Sequence, residues 1–134
     1  MKWEPKNWGR VQHIFANPHA CVSVLEVIPG QCCSIHMHEH RANQFCVQEG
    51  RLVIEEWRRG LKKESTMTVM VPGDVKHVPS GIFHRFITLD EGKLVEVYWQ
   101  DGGEVKADDI IRTDVGTTYD TKELKIELVE RGLL

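Results

Sequence analysis

Three histidines, His36, His38 and His40, recur at a spacing of two residues in one short stretch of the chain. In a β-strand, side chains at positions i, i+2 and i+4 lie on the same face, so the three imidazoles would project in one direction. Imidazole nitrogens are common ligands of transition metals. With His84 from a distant segment, the pattern favours a site for one divalent transition metal (Zn, Ni, Co, Mn or Fe).

Glycines and prolines frame both histidine segments at regular intervals. The first segment runs Gly30, five residues, His36-Met37-His38, four residues, Asn43, six residues, Gly50. The second runs Gly73, five residues, Pro79-Ser80-Gly81, two residues, His84, three residues, Thr88.

These spacings resemble the paired motifs of the cupins, which carry a glutamate where this chain has Asn43 and an asparagine where it has Thr88. The resemblance implies a cupin fold and a metal held by His36, His38 and His84. Asn43 would then lie beside the metal, with a neutral amide in place of the family's carboxylate.

The sequence resembles one cupin group more narrowly, the type II mannose-6-phosphate isomerases. The stretches that carry this resemblance are SIHMHEHRANQFCVQEG, HVPSGIFHRF, Trp8-Gly9 and DDIIR at residues 108–112. It implies a metal-dependent sugar or sugar-phosphate isomerase-like enzyme, with a small-molecule substrate such as a sugar phosphate.

Such an enzyme needs a group that moves a proton while the metal polarises a carbonyl. His40 and Glu96 are the candidate catalytic bases. Arg112 matches a position of the resembled group and is a candidate ligand for a substrate anion. The alternation of residues 43–47 places Asn43 on the same face as Phe45 and Val47, towards the core, and Gln44 on the opposite face.

Two alternatives remain open at the level of sequence. A three-histidine Fe(II) dioxygenase is favoured by the lack of the carboxylate ligand. A non-catalytic sugar-binding or regulatory cupin would follow if the metal site had lost its function.

The segments that must position these residues read as about eight short strands separated by Gly- and Pro-containing turns. That pattern is typical of a small β-sandwich or barrel. We therefore expect an all-β fold, an antiparallel cupin barrel of the jelly-roll, double-stranded β-helix kind, in one domain over residues 1–134. Its core would span about residues 20–112, with one of its strands over residues 31–38. An irregular arm at 1–19, with one short strand from Val11 to Phe15, would precede it, and a tail at 113–134 that contains a short helix would follow.

The composition of the chain indicates which kinds of partner and location to expect. Its 134 residues carry 17 Lys and Arg against 20 Asp and Glu, a net charge of −3, which gives no reason to expect nucleic acid as a partner. No long apolar run or leader pattern predicts a membrane segment or secretion, so a cytoplasmic location and four free cysteines are expected. The apolar arm with Trp3, Trp8 and Phe15 predicts a homodimer.

Overall fold

Alternating buried and exposed residues place most of the chain in antiparallel strands. The computed structural model describes residues 2–100 and 102–134. The strands are β1 (Glu4–Lys6), β2 (Gly9–Asn17), β3 (Ala20–Val27), β4 (Gln31–Cys32), β5 (His36–Met37), β6 (Ala42–Glu49), β7 (Leu52–Trp57), β8 (Thr66–Met70), β9 (Val75–Val78), β10 (Phe83–Thr88), β11 (Gly92–Trp99), β12 (Ile111–Arg112) and β13 (Thr117–Thr118). One helix, α1 (Thr121–Glu130), follows them.

Two sheets share these strands. The first has the order β1-β2-β3-β11-β6-β9. In the second, β10 lies centrally with β7 and then β8 on one side, while β4 and β5 pair with successive parts of its other edge. The pairs β5–β12 and β4–β13 extend that edge. The fold is thus the mostly antiparallel, all-β arrangement that the sequence predicts.

The main hydrophobic core lies between the two sheets. Strand β3 alternates strictly, with Cys21, Ser23, Leu25 and Val27 buried. The apolar residues of the core come from both sheets: Trp8, Val11, Leu25, Val27, Cys33, Phe45, Val47, Leu52, Ile54, Met70, Val78, Phe86 and Leu94. Burial of these side chains is the main term that holds the sheets face to face.

The C-terminal helix covers the outer face of the second sheet. Asp120 caps its first turn, because its side chain accepts hydrogen bonds from the backbone N–H groups of Lys122 and Glu123. Leu124 and Leu128, one turn apart, are fully buried in a second apolar cluster with residues of the sheet such as Ile87. The helix therefore confirms the short helical tail expected from the sequence.

Two details differ from the expected strands. The short strand expected at Val11 to Phe15 is part of a longer strand, β2, and the rest of the arm is less irregular than expected, because β1 pairs with β2 and Trp8 and Val11 enter the core. The expected strand over residues 31–38 is broken into β4 and β5. Cys33, which lies between the two pieces, packs into the core, and its Sγ accepts a hydrogen bond from the backbone N–H of Phe86.

Thr88, one of the two departures from the cupin motifs, has a local role at the end of β10. Its hydroxyl donates to the carbonyl of Ile28, and it accepts a hydrogen bond from the backbone N–H of Gln31 at 2.9 Å. The side chain therefore fixes the turn that leads into β4.

Two further features concern the chain as a whole. All four cysteines, Cys21, Cys32, Cys33 and Cys46, are free thiols. Among the described residues, no helix has the length and apolar character needed to span a membrane.

Candidate metal centre

Three histidines meet between the sheets, on the inner side of β5 and β10. His36 and His84 are directly opposite each other in the β5–β10 ladder, so their side chains project to the same face. His38 follows just after β5. The ring centroid of His36 lies 5.0 Å from that of His38 and 4.5 Å from that of His84. One nitrogen from each ring lies within 4.8 Å of the others, a spacing that can hold a metal ion.

Hydrogen bonds to the backbone fix the tautomer of all three rings. The Nδ1 atom of His36 lies 2.7 Å from the carbonyl oxygen of Ser34. That of His38 lies 2.7 Å from the carbonyl oxygen of Asp109, and that of His84 lies 2.9 Å from the carbonyl oxygen of Ile82. A carbonyl oxygen can only accept, so each Nδ1 carries the proton and donates it. Each Nε2 of a neutral ring therefore keeps a lone pair, which is the state that a metal ligand requires.

Burial keeps the three rings neutral. It is the largest cause that lowers the pKa of His36 to about 3 and that of His38 to about 4, and it also lowers the pKa of His84. Neighbouring positive charge adds to the effect, from the other histidines for His36 and from Arg41 for His38. At neutral pH, protons therefore do not compete with a metal for the free nitrogens.

Asn43 is buried on the same face of β6 as Phe45 and Val47, in the register that the alternation of β6 predicts. Its side chain is only 2% exposed, and its Nδ2 donates to Glu96 Oε2 at 2.8 Å. The amide oxygen Oδ1 is buried without a hydrogen-bond partner, as are the Nε2 atoms of His38 and His84. Buried polar atoms without partners are costly in a folded protein, so these three acceptors fit a bound cation.

The nearest buried carboxylate on β7 is already neutralised. Glu56 is opposite His84 in the β7–β10 ladder and is 1% exposed. Its two oxygens bind Lys76 at 3.0 Å and Arg58 at 2.8 Å. Glu56 therefore supplies negative charge near His84, while its oxygens are occupied by cations of the protein.

A cavity of about 480 Å³ opens next to the histidines. Apolar side chains such as Val11, Leu25, Phe45 and Phe86 form much of its wall, with Glu96 and Arg112 among the polar ones. A volume of this size suits a small organic ligand. Burial is the largest cause that raises the pKa of Glu96, and the hydrogen bond from Asn43 opposes it.

The two remaining sequence candidates are placed differently. Arg112 pairs with His36 in the β5–β12 ladder and contributes to the cavity wall. His40 is not part of the cavity wall, because it lies in the turn after β5, where its backbone N–H donates to Asp109. Its side chain is 66% exposed, and Nε2 lies 3.8 Å from Glu39.

Asp109 supports the metal centre in a way that was not predicted from the sequence. Its carboxylate accepts the backbone N–H groups of Glu39, His40 and Arg41 at 2.8 to 3.1 Å, and its carbonyl accepts from His38. Asp109 therefore holds both the turn after β5 and the ring of His38. The DDIIR stretch was the only sequence signal, and it did not indicate this contact.

Antiparallel sheets that enclose three histidines beside a small-molecule cavity are the architecture of a cupin. The family model described as mannose-6-phosphate isomerase C-terminal matches residues 3–115. The chain therefore belongs to this family of cupin-type domains. No curated protein matches the chain in sequence.

Several solved structures share the fold at low sequence identity. The capsular polysaccharide assembling protein CapF from Staphylococcus aureus is 21% identical, with a TM-score of 0.69 over 85% of this chain and 32% of CapF. KdgF from Halomonas sp. is 18% identical, with a TM-score of 0.63 over 81% of this chain and 92% of KdgF. An oxalate decarboxylase from Bacillus subtilis is 14% identical, with a TM-score of 0.69 over 99% of this chain and 35% of that enzyme. The chain thus matches about a third of CapF and of the decarboxylase.

Proposed function

We propose that this protein is a metal-dependent enzyme that isomerises a sugar or sugar phosphate. His36, His38 and His84 would bind the metal through Nε2, and the Asn43 amide oxygen would complete the protein ligands. A set of nitrogens and one neutral oxygen suits Zn, Ni, Co, Mn or Fe. When bound, the divalent ion supplies a Lewis acid that polarises a substrate carbonyl.

Glu96 is the residue that moves the proton. Its carboxylate is in the cavity wall, and Asn43 holds Oε2 through a hydrogen bond of 2.8 Å. Because burial raises its pKa, Glu96 is a stronger base than an exposed carboxylate. It takes the C2 proton of an open-chain aldose, the electron pair of that C–H bond forms an enediol, and the proton is returned to C1. A second proton passes from the C2 hydroxyl to the C1 oxygen.

The observation that carries this proposal is the juxtaposition of the three-histidine cluster with Glu96 in one cavity. The test incubates metal-loaded protein in deuterium oxide with a panel of aldoses and follows each sugar by NMR. The panel contains an uncharged aldose, an aldose phosphate such as mannose 6-phosphate, and an aldose that carries a carboxylate, a uronic acid. We expect deuterium at C1 of the ketose formed from the substrate. Absence of both exchange and product across this panel would overturn the proposal.

A three-histidine Fe(II) dioxygenase is the second candidate. It is favoured because, among the described residues, the ligand cluster contains histidines and no carboxylate. Protein loaded with Fe(II) would then consume oxygen in the presence of its substrate, whereas the isomerase would not. A protein that binds sugar with neither exchange nor oxygen uptake would instead be the non-catalytic binding module.

Asp109 should affect metal binding through His38 without touching the metal. Asp109→Asn keeps the shape of the side chain but loses the charge that holds three backbone N–H groups. We expect metal affinity to fall by about 10-fold, the lower end of effects from partners that orient metal ligands. Competitive titration against a chromophoric chelator measures this, with the exposed neighbour Asp108→Asn as the matched control. Equal losses in both variants would contradict the specific role of Asp109.

The protein also has an edge suited to pairing with a second copy. Strand β2 pairs with β3 on one side, and β1 covers only Gly9 to Val11 of its other side within the described chain. Beyond that cover, Ile14 is 44% and Phe15 51% exposed. An exposed apolar strand edge favours pairing, so the protein would form a homodimer there. Sedimentation at tens of micromolar should show a dimer that Phe15→Asp converts to a monomer. A wild-type monomer at that concentration would exclude this interface.

A further inference from the structure

Arg41 is a buried cation without an ion-pair partner among the described residues, and the Glu96 carboxylate acts on it only by longer-range attraction. Its residue is 9% exposed, and its guanidinium is part of the cavity wall. No carboxylate of the described residues lies within ion-pairing distance of it. Arginine is rarely buried unless it is paired, because desolvating an uncompensated charge is expensive.

The contacts that Arg41 makes within the protein satisfy only part of its guanidinium. Its Nη1 donates to the carbonyl of Lys106 at 3.3 Å, and its plane stacks on Tyr98, with the ring centroid 4.2 Å from the guanidinium carbon. Nε is enclosed and has no hydrogen-bond partner. Nη2 is therefore the nitrogen that remains to donate a charge-assisted hydrogen bond to a ligand in the cavity.

The cavity wall carries a net positive charge, which favours an anionic ligand. Besides its histidines, the described wall contains three cations, Lys6, Arg41 and Arg112, and one carboxylate, Glu96. A divalent ion held by the histidines would add two further positive charges. Arg41 is the deepest of the three cations, since Lys6 and Arg112 are exposed residues. It lines the same cavity as His36 and His84, so it lies on the side of the metal centre that a ligand can reach.

We propose that Arg41 binds the carboxylate of a small sugar acid or hydroxy acid and places that ligand beside the three histidines. This inference deepens the proposed function, because it identifies the isomerised substrate as an acid. A carboxylate carries one charge, as the guanidinium does, whereas a phosphate carries about −1.5 to −2 at neutral pH. The phosphate ligand in the test below separates the two kinds of anion.

The test compares three ligands of equal carbon skeleton by calorimetry: D-gluconate, uncharged D-glucitol and D-glucitol 6-phosphate. Wild-type protein as purified should bind gluconate about 10-fold to 100-fold more tightly than glucitol, the range for charged hydrogen bonds. The measurement is repeated after the metal is removed with a chelator, and the preference should persist. A wild type with no preference for gluconate overturns the proposal without any variant. A preference for gluconate that is lost when the metal is removed also overturns the proposal.

Substitutions then assign the preference to Arg41. Arg41→Gln should abolish the gluconate preference, and Arg41→Lys should keep only part of it, because the lysine ammonium is a point charge that does not reproduce the guanidinium geometry. Arg59→Gln, the same charge change at an exposed position, should leave it intact. If Arg41→Gln does not fold, Arg41→Lys carries the test. A full preference in either Arg41 variant overturns the proposal, and tighter binding of glucitol 6-phosphate than of gluconate overturns the carboxylate class. These binding results do not depend on turnover, so a failure of the isomerase proposal is seen separately in the deuterium experiment.

Discussion

Replacement of Glu96 by glutamine should slow proton exchange at C2 by about 100-fold to 10,000-fold, the usual contribution of a positioned general base. Glutamine fills the same space, and its amide oxygen can still accept the hydrogen bond that Asn43 donates. Its amide cannot take a proton from carbon. Metal affinity should therefore change little while exchange is lost. The rate of deuterium incorporation at saturating substrate measures the effect.

Two variants control for charge and for the rival base. Glu39→Gln makes the same change at an exposed residue and should exchange at the wild-type rate. His40→Ala removes the other candidate base, which is 66% exposed, and should also have little effect. If His40→Ala lost exchange while Glu96→Gln kept it, the proton carrier would be His40 and the assignment of Glu96 would be wrong.

Restoring a carboxylate at residue 43 should strengthen metal binding by roughly 10-fold to 100-fold, comparable to the effects of groups around metal ligands. Asn43→Glu supplies an anionic oxygen in a buried site, where attraction between charges is much stronger than in water. Without metal, the same change places a second carboxylate beside Glu96. Because like charges repel, the metal-free variant should melt at a lower temperature than metal-free wild type, and added metal should reverse the loss.

Gln44→Glu is the matched control for that gain. Gln44 is the next residue along β6 and projects to the opposite face, across from His77 on β9. The same new charge there should leave metal affinity unchanged. Competitive metal titration of the three proteins measures the difference. Equal affinities, or tightening only in the Gln44 variant, would show that Asn43 does not face the metal.

Short-range periodicity predicted the parts of the site that depend on single strands. The spacing of two brought His36 and His38 to one side, and the phase of Asn43 with Phe45 matches the buried face of β6. The turn residues around His84 marked β10 as the partner strand. Helix α1 followed from Leu124 and Leu128 at one-turn spacing, although Ile126 between them also fits a strand pattern.

Other features depend on contacts that local patterns do not encode. The contact between Asp109 and His38 joins residues 71 positions apart, and only the packed fold brings them together. His40 fits the same spacing as the other histidines, yet it lies in the turn that Asp109 holds and is exposed. The residue type of Arg41 suits an anion, but its burial against Tyr98 depends on β11. The short strand expected at Val11 to Phe15 lies within β2, whereas β1 was not predicted.

Metal content is the most direct measure of the central claim, that His36, His38 and His84 hold one metal ion. Protein purified without chelator, and His84→Ala prepared in parallel, would be examined by elemental analysis before and after supply of Zn, Ni, Co, Mn or Fe. We expect close to one divalent ion per wild-type chain and far less in His84→Ala, because the buried cluster loses one of its three nitrogens. If the metal content of the wild type stays near zero after metal is supplied, and His84→Ala has the same content, the three histidines do not form a metal site.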